Sequence, residues 1–93
     1  MSVRITHIRK PDANSAVDAI SHYKWINEAN NETGSSTRQD MVAWLDSHPS
    51  EFAYVGPRPG VRCVVKENRH GTRYLQTVAN GQETDNLLKL PQF

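Results

Sequence analysis

A chain of 93 residues, 37% hydrophobic and 23% charged, has the composition of a single small globular domain, which we place at residues 1–93. Its formal net charge of +1 is lower than dedicated nucleic-acid-binding proteins usually carry, and no apolar run is long enough to span a membrane. The one cysteine excludes an internal disulfide, and the first residues do not resemble a signal peptide, so we expect a cytoplasmic protein.

The first two predicted elements are strands with a shared pattern. Residues 3–9 are rich in β-branched side chains, and Pro11 follows them. The stretch I-S-H-Y-K at residues 20–24 repeats the alternation of I-T-H-I-R at residues 5–9, which favours a second strand paired with the first. Strict alternation puts Ile5 with His7 on one face and Ile20 with His22 on one face, so the two histidines become candidate cross-strand neighbours.

A loop and then a helix are predicted next. Residues 27–34 contain three asparagines and a glycine and read as a polar loop. The helix begins with a capping box, either Ser36-x-x-Gln39 or the overlapping Thr37-x-x-Asp40. Apolar residues follow at helical spacing, and a polar segment with a proline ends the helix at residues 46–49. We interpret Trp44, on the apolar stripe, as a core residue.

The second half of the chain predicts a β-meander and a closing turn. Strands are expected at residues 52–55, 61–67 and 72–78, and Asn80-Gly81 is a tight-turn signal. Asp85 and Asn86 are expected to cap a short turn that places Leu87 and Leu88 in the core beside Trp44. One helix with about five short strands predicts an α+β fold with a largely antiparallel sheet packed on that helix.

Three stretches carry a resemblance to a known family. They are I-T-H-I-R-K at residues 5–10, S-T-R-Q-D-M-V-A-W-L at residues 36–45 and T-D-N-L-L-K-L-P at residues 84–91. Together they resemble the small bacterial family called domain of unknown function 3892, and the likeness covers nearly the whole chain. The resemblance implies no activity, so no catalytic residue can be carried over from it.

The charges are unevenly distributed along the chain. Residues 28–51 hold one basic and five acidic residues, a net charge of −4, whereas residues 52–78 hold five basic and one acidic residue, a net charge of +4. Segregated charge of this kind is typical of internal salt bridges or of faces that meet different partners. The basic segment predicts a candidate binding surface, which we call the basic hairpin, made of Arg58, Arg62, Lys66, Arg69, His70, Arg73 and Tyr74.

Other candidate sites are weaker. His7 and His22 lack a convincing third metal ligand, and Asp85 with Asn86 could be a polar site instead of a cap. Cys63 lies between apolar neighbours without a catalytic signature, which indicates a buried, inert thiol. We therefore expect no metal, no cofactor and no enzymatic activity.

Three functions remain as hypotheses. The first is a small binding module that contacts a protein partner or a second copy of itself, because the charges are segregated and catalytic motifs are missing. The second is nucleic-acid binding through the basic hairpin. The third is a phage-type inhibitor of a host defence system, which only the small size suggests.

Overall fold

A computed structural model describes residues 3–12, 16–57 and 60–93 of the chain. Its one α-helix, α1, spans Arg38–Ser47, and a single 3-10 turn spans Val17–Ala19. The strands are β1 (Val3–Arg9), β2 (His22–Asn27), β3 (Glu32–Thr37), β4 (Ala53–Val55), β5 (Val61–Glu67), β6 (Arg73–Ala79) and β7 (Gln82–Glu83).

All seven strands belong to one sheet with the order β3-β2-β1-β4-β5-β6-β7. Every neighbouring pair is antiparallel except β1 and β4, which are parallel. The chain reaches β4 from β1 through β2, β3 and the helix, which is the long crossover that a parallel pair requires. The α+β class and the mostly antiparallel sheet are confirmed, but the sheet has seven strands where about five were predicted.

The prediction of a loop over residues 27–34 is wrong for half of that range. Asn27 ends β2, a turn covers residues 28–31, and β3 then pairs along the whole of β2. Asn31 makes this tight turn possible because its φ is +60°, a conformation that asparagine tolerates better than most residues. The polar composition of β3 reflects its position at the sheet edge, where half of its residues are exposed and none is buried.

The helix follows β3 directly, and of the two predicted capping residues Thr37 is the one that caps it. The hydroxyl of Thr37 accepts a hydrogen bond from the backbone amide of Asp40 at 3.1 Å. Ser36 remains in β3, so its predicted role as the cap is wrong. Met41 and Val42 are the buried helical residues, while Trp44 is half-buried and packs against the edge of the core.

The sheet curls around the helix. α1 contacts β2 and β3 near one end of the sheet and β6 near the other, so the strands must wrap around it. The core lies inside this curve, between the sheet, the helix and the C-terminal segment. Its most completely buried side chains are Ile5, Ile8, Ile20, Tyr23, Leu75, Thr77 and Leu87.

The last residues close the open part of the sheet. Asn80 and Gly81 have φ values of +54° and +77° and form the predicted tight turn into β7. A further turn at residues 85–90 inserts Leu87 completely into the core, whereas Leu88 only packs against it. The chain then runs parallel to β1, where the amide of Ile8 donates to the carbonyl of Pro91 at 3.0 Å.

The turn at residues 85–90 is closed through the backbone and not through the predicted side-chain caps. The carbonyl oxygens of Asp85 and Asn86 accept from the amide of Lys89 at 3.2 and 3.3 Å. The carboxylate of Asp85 lies 3.4 Å from the Lys89 ammonium in an exposed i,i+4 pair. The side chains of Asp85 and Asn86 therefore do not cap this turn, and the side chain that fixes it to the core is that of Leu87. In the described part of the chain, no helix is long and apolar enough to cross a membrane.

Candidate functional site

The side of the sheet away from α1, which we call the outer face, carries five of the predicted site residues: His7, His22, Arg62, Lys66 and Tyr74. Directly paired residues of neighbouring strands project to the same side, so the strand register assigns each side chain to a face. The outer face holds Arg4, His7 and Arg9 of β1, His22 and Lys24 of β2, Arg62 and Lys66 of β5, and Tyr74 of β6. Four strands of the sheet, β1, β2, β5 and β6, thus contribute side chains to one surface rich in basic residues.

A β-bulge in β1 creates this surface. Ile5 pairs with Trp25, but His7 pairs with Lys24, so Thr6 is an extra residue in the ladder. Ile5 and Ile8 therefore both point into the core, and His7 and Arg9 move to the outer face. The prediction that Ile5 and His7 share a face is wrong because strict alternation assumes a strand without a bulge.

The second half of the histidine prediction is also corrected. Ile20 precedes β2 and is fully buried at the end of the 3-10 turn, whereas His22 lies on the outer face. His22 pairs with Arg9, so the two histidines are diagonal and not directly opposite. A basic side chain stands opposite each of them, which disfavours a shared metal ion.

Each histidine is oriented by the hydroxyl that precedes it. The hydroxyl of Thr6 donates to the carbonyl of Lys24 at 3.2 Å, and Nδ1 of His7 lies 2.9 Å from that hydroxyl. The hydroxyl of Ser21 donates to the carbonyl of Arg9 at 3.1 Å, with Nδ1 of His22 at 2.9 Å. Because each hydroxyl donates its one proton to a backbone carbonyl, its oxygen is available to accept a hydrogen bond from the neighbouring Nδ1. The repeated Thr-His and Ser-His dipeptides therefore form two copies of one local arrangement.

The C-terminal residue anchors the β1 end of the outer face. The guanidinium carbon of Arg9 lies 4.6 Å from the centre of the Phe93 ring, and its Nε donates to the Phe93 carbonyl at 3.0 Å. The His7 ring meets the same phenyl ring edge-on at 6.4 Å. Arg9 is thus held in place by an aromatic ring that leaves its positive charge exposed.

A second arginine is held in the same way on β5. The guanidinium carbon of Arg62 lies 4.8 Å from the centre of the Phe52 ring. Lys66, two residues further on this face, donates to the carboxylate of Glu83 at 2.9 Å, and this hydrogen bond raises the pKa of Lys66. Tyr74 is half-buried opposite Lys66. Of the two hairpin cations on the outer face, Lys66 is paired with an acidic side chain, whereas Arg62 is exposed and stacks only on an aromatic ring.

The basic hairpin is not one surface. Arg73 projects to the helix side, where its two terminal nitrogens bind both carboxylate oxygens of Asp46, one of them at 3.0 Å. These hydrogen bonds lower the pKa of Asp46 and raise that of Arg73. Arg69 and His70 lie exposed in the loop between β5 and β6, and Arg58 lies outside the described residues. Alternation along the two strands separates the cations that the sequence places together.

The remaining candidates lie apart from the outer face cluster. Asp85 and Asn86 are exposed on the C-terminal turn. Cys63 is buried on the helix side, and burial raises the pKa of its thiol to about 12. A thiol of this kind is protonated at neutral pH and is a poor nucleophile. Within residues 3–12, 16–57 and 60–93, no group of three or more metal-binding side chains comes together.

Comparison with known families gives a match over almost the whole chain. The model of the family described as "Protein of unknown function (DUF3892)" matches residues 4–91. The chain belongs to this family. No curated protein and no solved structure matches the chain significantly.

Membership in DUF3892 assigns no chemistry to any of these side chains, so the candidate site depends on their geometry alone. Sequence reasoning missed Arg9 and Lys24 as members of the surface, although both alternate with buried residues of paired strands. It also missed Trp25, which with Trp44 lines a cleft on the helix side. The signal for this cleft was hidden because residues 27–34 were interpreted as a loop and Ser36 or Thr37 as a helix cap, so no strand was expected opposite Trp25.

Proposed function

We propose that this chain is a binding domain without a catalytic role, and that its outer face contacts a negatively charged partner. The observation that carries the proposal is the gathering of Arg9, Lys24 and Arg62, all exposed, on one side of the sheet. Within the described residues, none of these three forms an ion pair with an acidic side chain. Their charges are therefore available to a partner.

A protein is the first candidate partner. Complementary charge steers association and selects partners, and the arginines held against Phe52 and Phe93 lose little freedom on binding. Ion pairs at the margins, Arg4 with Glu28 and Lys66 with Glu83, partly neutralise the surface there. We therefore expect the contact to be centred between them.

A second copy of the chain could supply the negative charge. Residues 28–51, with a net charge of −4, form β3 and α1, so much of their charge lies away from the outer face. Contact between the outer face of one copy and the acidic region of another would be head-to-tail and would produce rings or open chains. Sedimentation at low and high salt would reveal such association, because screening weakens contacts between exposed charges.

The decisive experiment compares two double variants with equal loss of charge. Lys24→Ala/Arg62→Ala changes the outer face, and Arg69→Ala/Lys89→Ala removes two exposed cations elsewhere. Affinity purification at native salt should recover a defined partner, or sedimentation should show oligomers, with the parent chain and the control variant. The outer variant should lose that partner. Equal retention by both variants, or a chain that stays monomeric and without a partner, would contradict the proposal.

Nucleic acid is the second candidate, favoured by the combination of cations with Phe52, Tyr74 and Phe93 on one face. In a gel shift at low salt with mixed RNA and DNA, Arg62→Ala/Lys66→Ala should weaken binding and reduce its salt dependence. Arg73→Ala should have little effect, because Arg73 lies on the helix side. The absence of any shift at low salt would eliminate this candidate.

A further inference from the structure

A cleft on the helix side, distinct from the outer face, has the composition of a ligand site. It lies between β1, β2, β3 and the helix and has a volume of about 420 Å³. Both tryptophans of the chain line it, together with the buried side chains of Val3 and Met41. Glu32 and Asp40 contribute negative charge, and no basic side chain is among the described residues of its lining. The volume suits a small ligand or the head of one side chain.

The ring of Trp25 is fixed in the wall of this cleft. Its Nε1 donates to the hydroxyl of Ser36 at 3.1 Å. The ring also lies against the backbone of its cross-strand partner Gly34, where an added Cβ would approach Cζ2 of Trp25 to 2.6 Å. Only glycine leaves room for the indole in this position, so Gly34 and Ser36 together determine where the ring lies.

The ring of Trp44 is supported from the helix. The His48 ring stacks on it with a centroid distance of 5.2 Å and an interplanar angle of 25°. Nδ1 of His48 donates to the Trp44 carbonyl at 2.8 Å, which holds the imidazole in this position. Both indoles are only half-buried, so each keeps part of its surface accessible. Two supported aromatic rings beside two carboxylates form a preorganised environment for a positive charge.

We propose that this cleft binds an alkylated ammonium group. Indole faces attract cations, and they favour weakly hydrated ones with methyl groups because the indoles also bury apolar surface. A metal ion fits less well, because the described residues contain no cluster of three or more metal-binding side chains. The ammonium group could belong to a free small molecule such as choline or to a methylated lysine of a protein, and the same chemistry would recognise both.

Tryptophan fluorescence gives a direct test, because the chain has only two tryptophans and both line the cleft. Titration with tetramethylammonium chloride should produce a saturable change that sodium chloride at equal ionic strength does not reproduce. Choline should bind about ten-fold more tightly than 3,3-dimethylbutan-1-ol, its uncharged isostere. Absence of saturation with every cation, or equal affinity for choline and the alcohol, would overturn the proposal.

Charge-removing variants test whether the fluorescence change reports binding in the cleft. Glu32→Gln/Asp40→Asn should weaken tetramethylammonium binding about ten-fold or more, whereas Asp85→Asn/Glu67→Gln, an equal change at exposed positions outside the cleft, should not. Both pairs are on the surface, and their denaturant midpoints would verify that they fold. Equal affinity in the two variants would overturn the proposal.

A peptide with one trimethyl-lysine identifies the source of the cation. The cleft belongs to a protein partner if this peptide binds more tightly than choline and if the unmethylated peptide does not. Equal binding of peptide and choline assigns it to a small molecule. Either result supports an alkylated ammonium site, and failure of both ligands to bind overturns it.

Discussion

The two sides of the curved sheet differ in what covers them and in the charge they expose. On the helix side, α1 and the C-terminal turn cover the buried core and leave the tryptophan-lined cleft open between α1 and β1–β3. The outer face has no such cover over Arg9, Lys24 and Arg62, which are exposed. Stability therefore depends on the helix side, and the proposed partner contact depends on the outer face of the same strands.

Single residues and the strand register decide which charged side chains lie on each side of the sheet. The extra Thr6 in β1 keeps two isoleucines in the core while it turns His7 and Arg9 outward. On β5 and β6, alternation divides the basic hairpin, with Arg62 outside and Arg73 on the helix side. Local backbone geometry therefore decides which charges can reach the same partner.

The largest expected effect is at Leu87, which is completely buried on the helix side. Leu87→Ala should reduce the free energy of unfolding by about 2–5 kcal/mol, because it removes packed methyl groups and leaves a cavity. Leu88→Ala should cost less since Leu88 only borders the core, and Asp85→Ala should cost least. Denaturant midpoints at constant m measure all three. A Leu88 effect larger than that of Leu87 would contradict the assigned core.

The next effect concerns thiol reactivity on the two sides. Cys63 should react with a disulfide reagent at pH 8 only when the chain opens, because its thiol is buried and burial also raises its pKa to about 12. A cysteine placed on the outer face by Lys24→Cys in a Cys63→Ala background should react roughly a hundred-fold faster or more. Reaction rates in native buffer and in denaturant provide the measurement. Similar native rates would show that the helix side is not closed at Cys63.

A smaller change in stability is expected at Gly34. Gly34→Ala should cost about 1–3 kcal/mol, because its Cβ would overlap the Trp25 ring that a hydrogen bond to Ser36 holds in place. Gly71→Ala is a useful contrast, since open space surrounds that position although its φ of +82° adds backbone strain. Thermal unfolding measures stability, and tryptophan emission should shift only in Gly34→Ala. An unchanged emission would show that Gly34 does not position the indole.

The sequence predicts the regular parts of this architecture and misses the parts decided by tertiary context. The hairpin of β5 and β6 follows from alternation and turn residues, and the helix follows from its cap and apolar spacing. β3 does not, because an edge strand can be polar on both sides and then resembles a loop. β3 is a strand because it pairs with β2 along its whole length, and its composition alone does not indicate this.

The candidate site is predictable only in part for the same reason. The residues of the basic hairpin were found from charge, but their separation onto two sides depends on register. The bulge at Thr6 has no strong signal in the sequence, because Thr6 and the isoleucines on either side of it all favour β structure. Cations contributed by β1 and β2 could be added only after the sheet order was known, since these strands are distant in sequence from β5.

The smallest expected effect is the pH dependence of stability that comes from Asp46 on the helix side. The hydrogen bond from Arg73 lowers the pKa of Asp46 below its ordinary value of 3.8. A carboxylate with a lowered pKa in the folded state stabilises the protein above that ordinary value, and the stabilisation is lost as pH falls through the lower, folded-state pKa. Because Asp46 is exposed at the surface, the gain is small and screened by salt. Arg73→Ala should return the Asp46 pKa towards 3.8, which carbon NMR of the carboxyl group can follow.

The matched control for this titration is Lys66→Ala. It removes an equal charge from the same hairpin, but Lys66 lies on the outer face and pairs with Glu83. The Asp46 pKa should therefore stay low in Lys66→Ala, because the largest cause of its shift is a direct hydrogen bond and not the general field of the hairpin. An equal rise in both variants would show that the sheet does not separate the two sides electrostatically. That result would also weaken the argument that the outer face acts as a charged surface of its own.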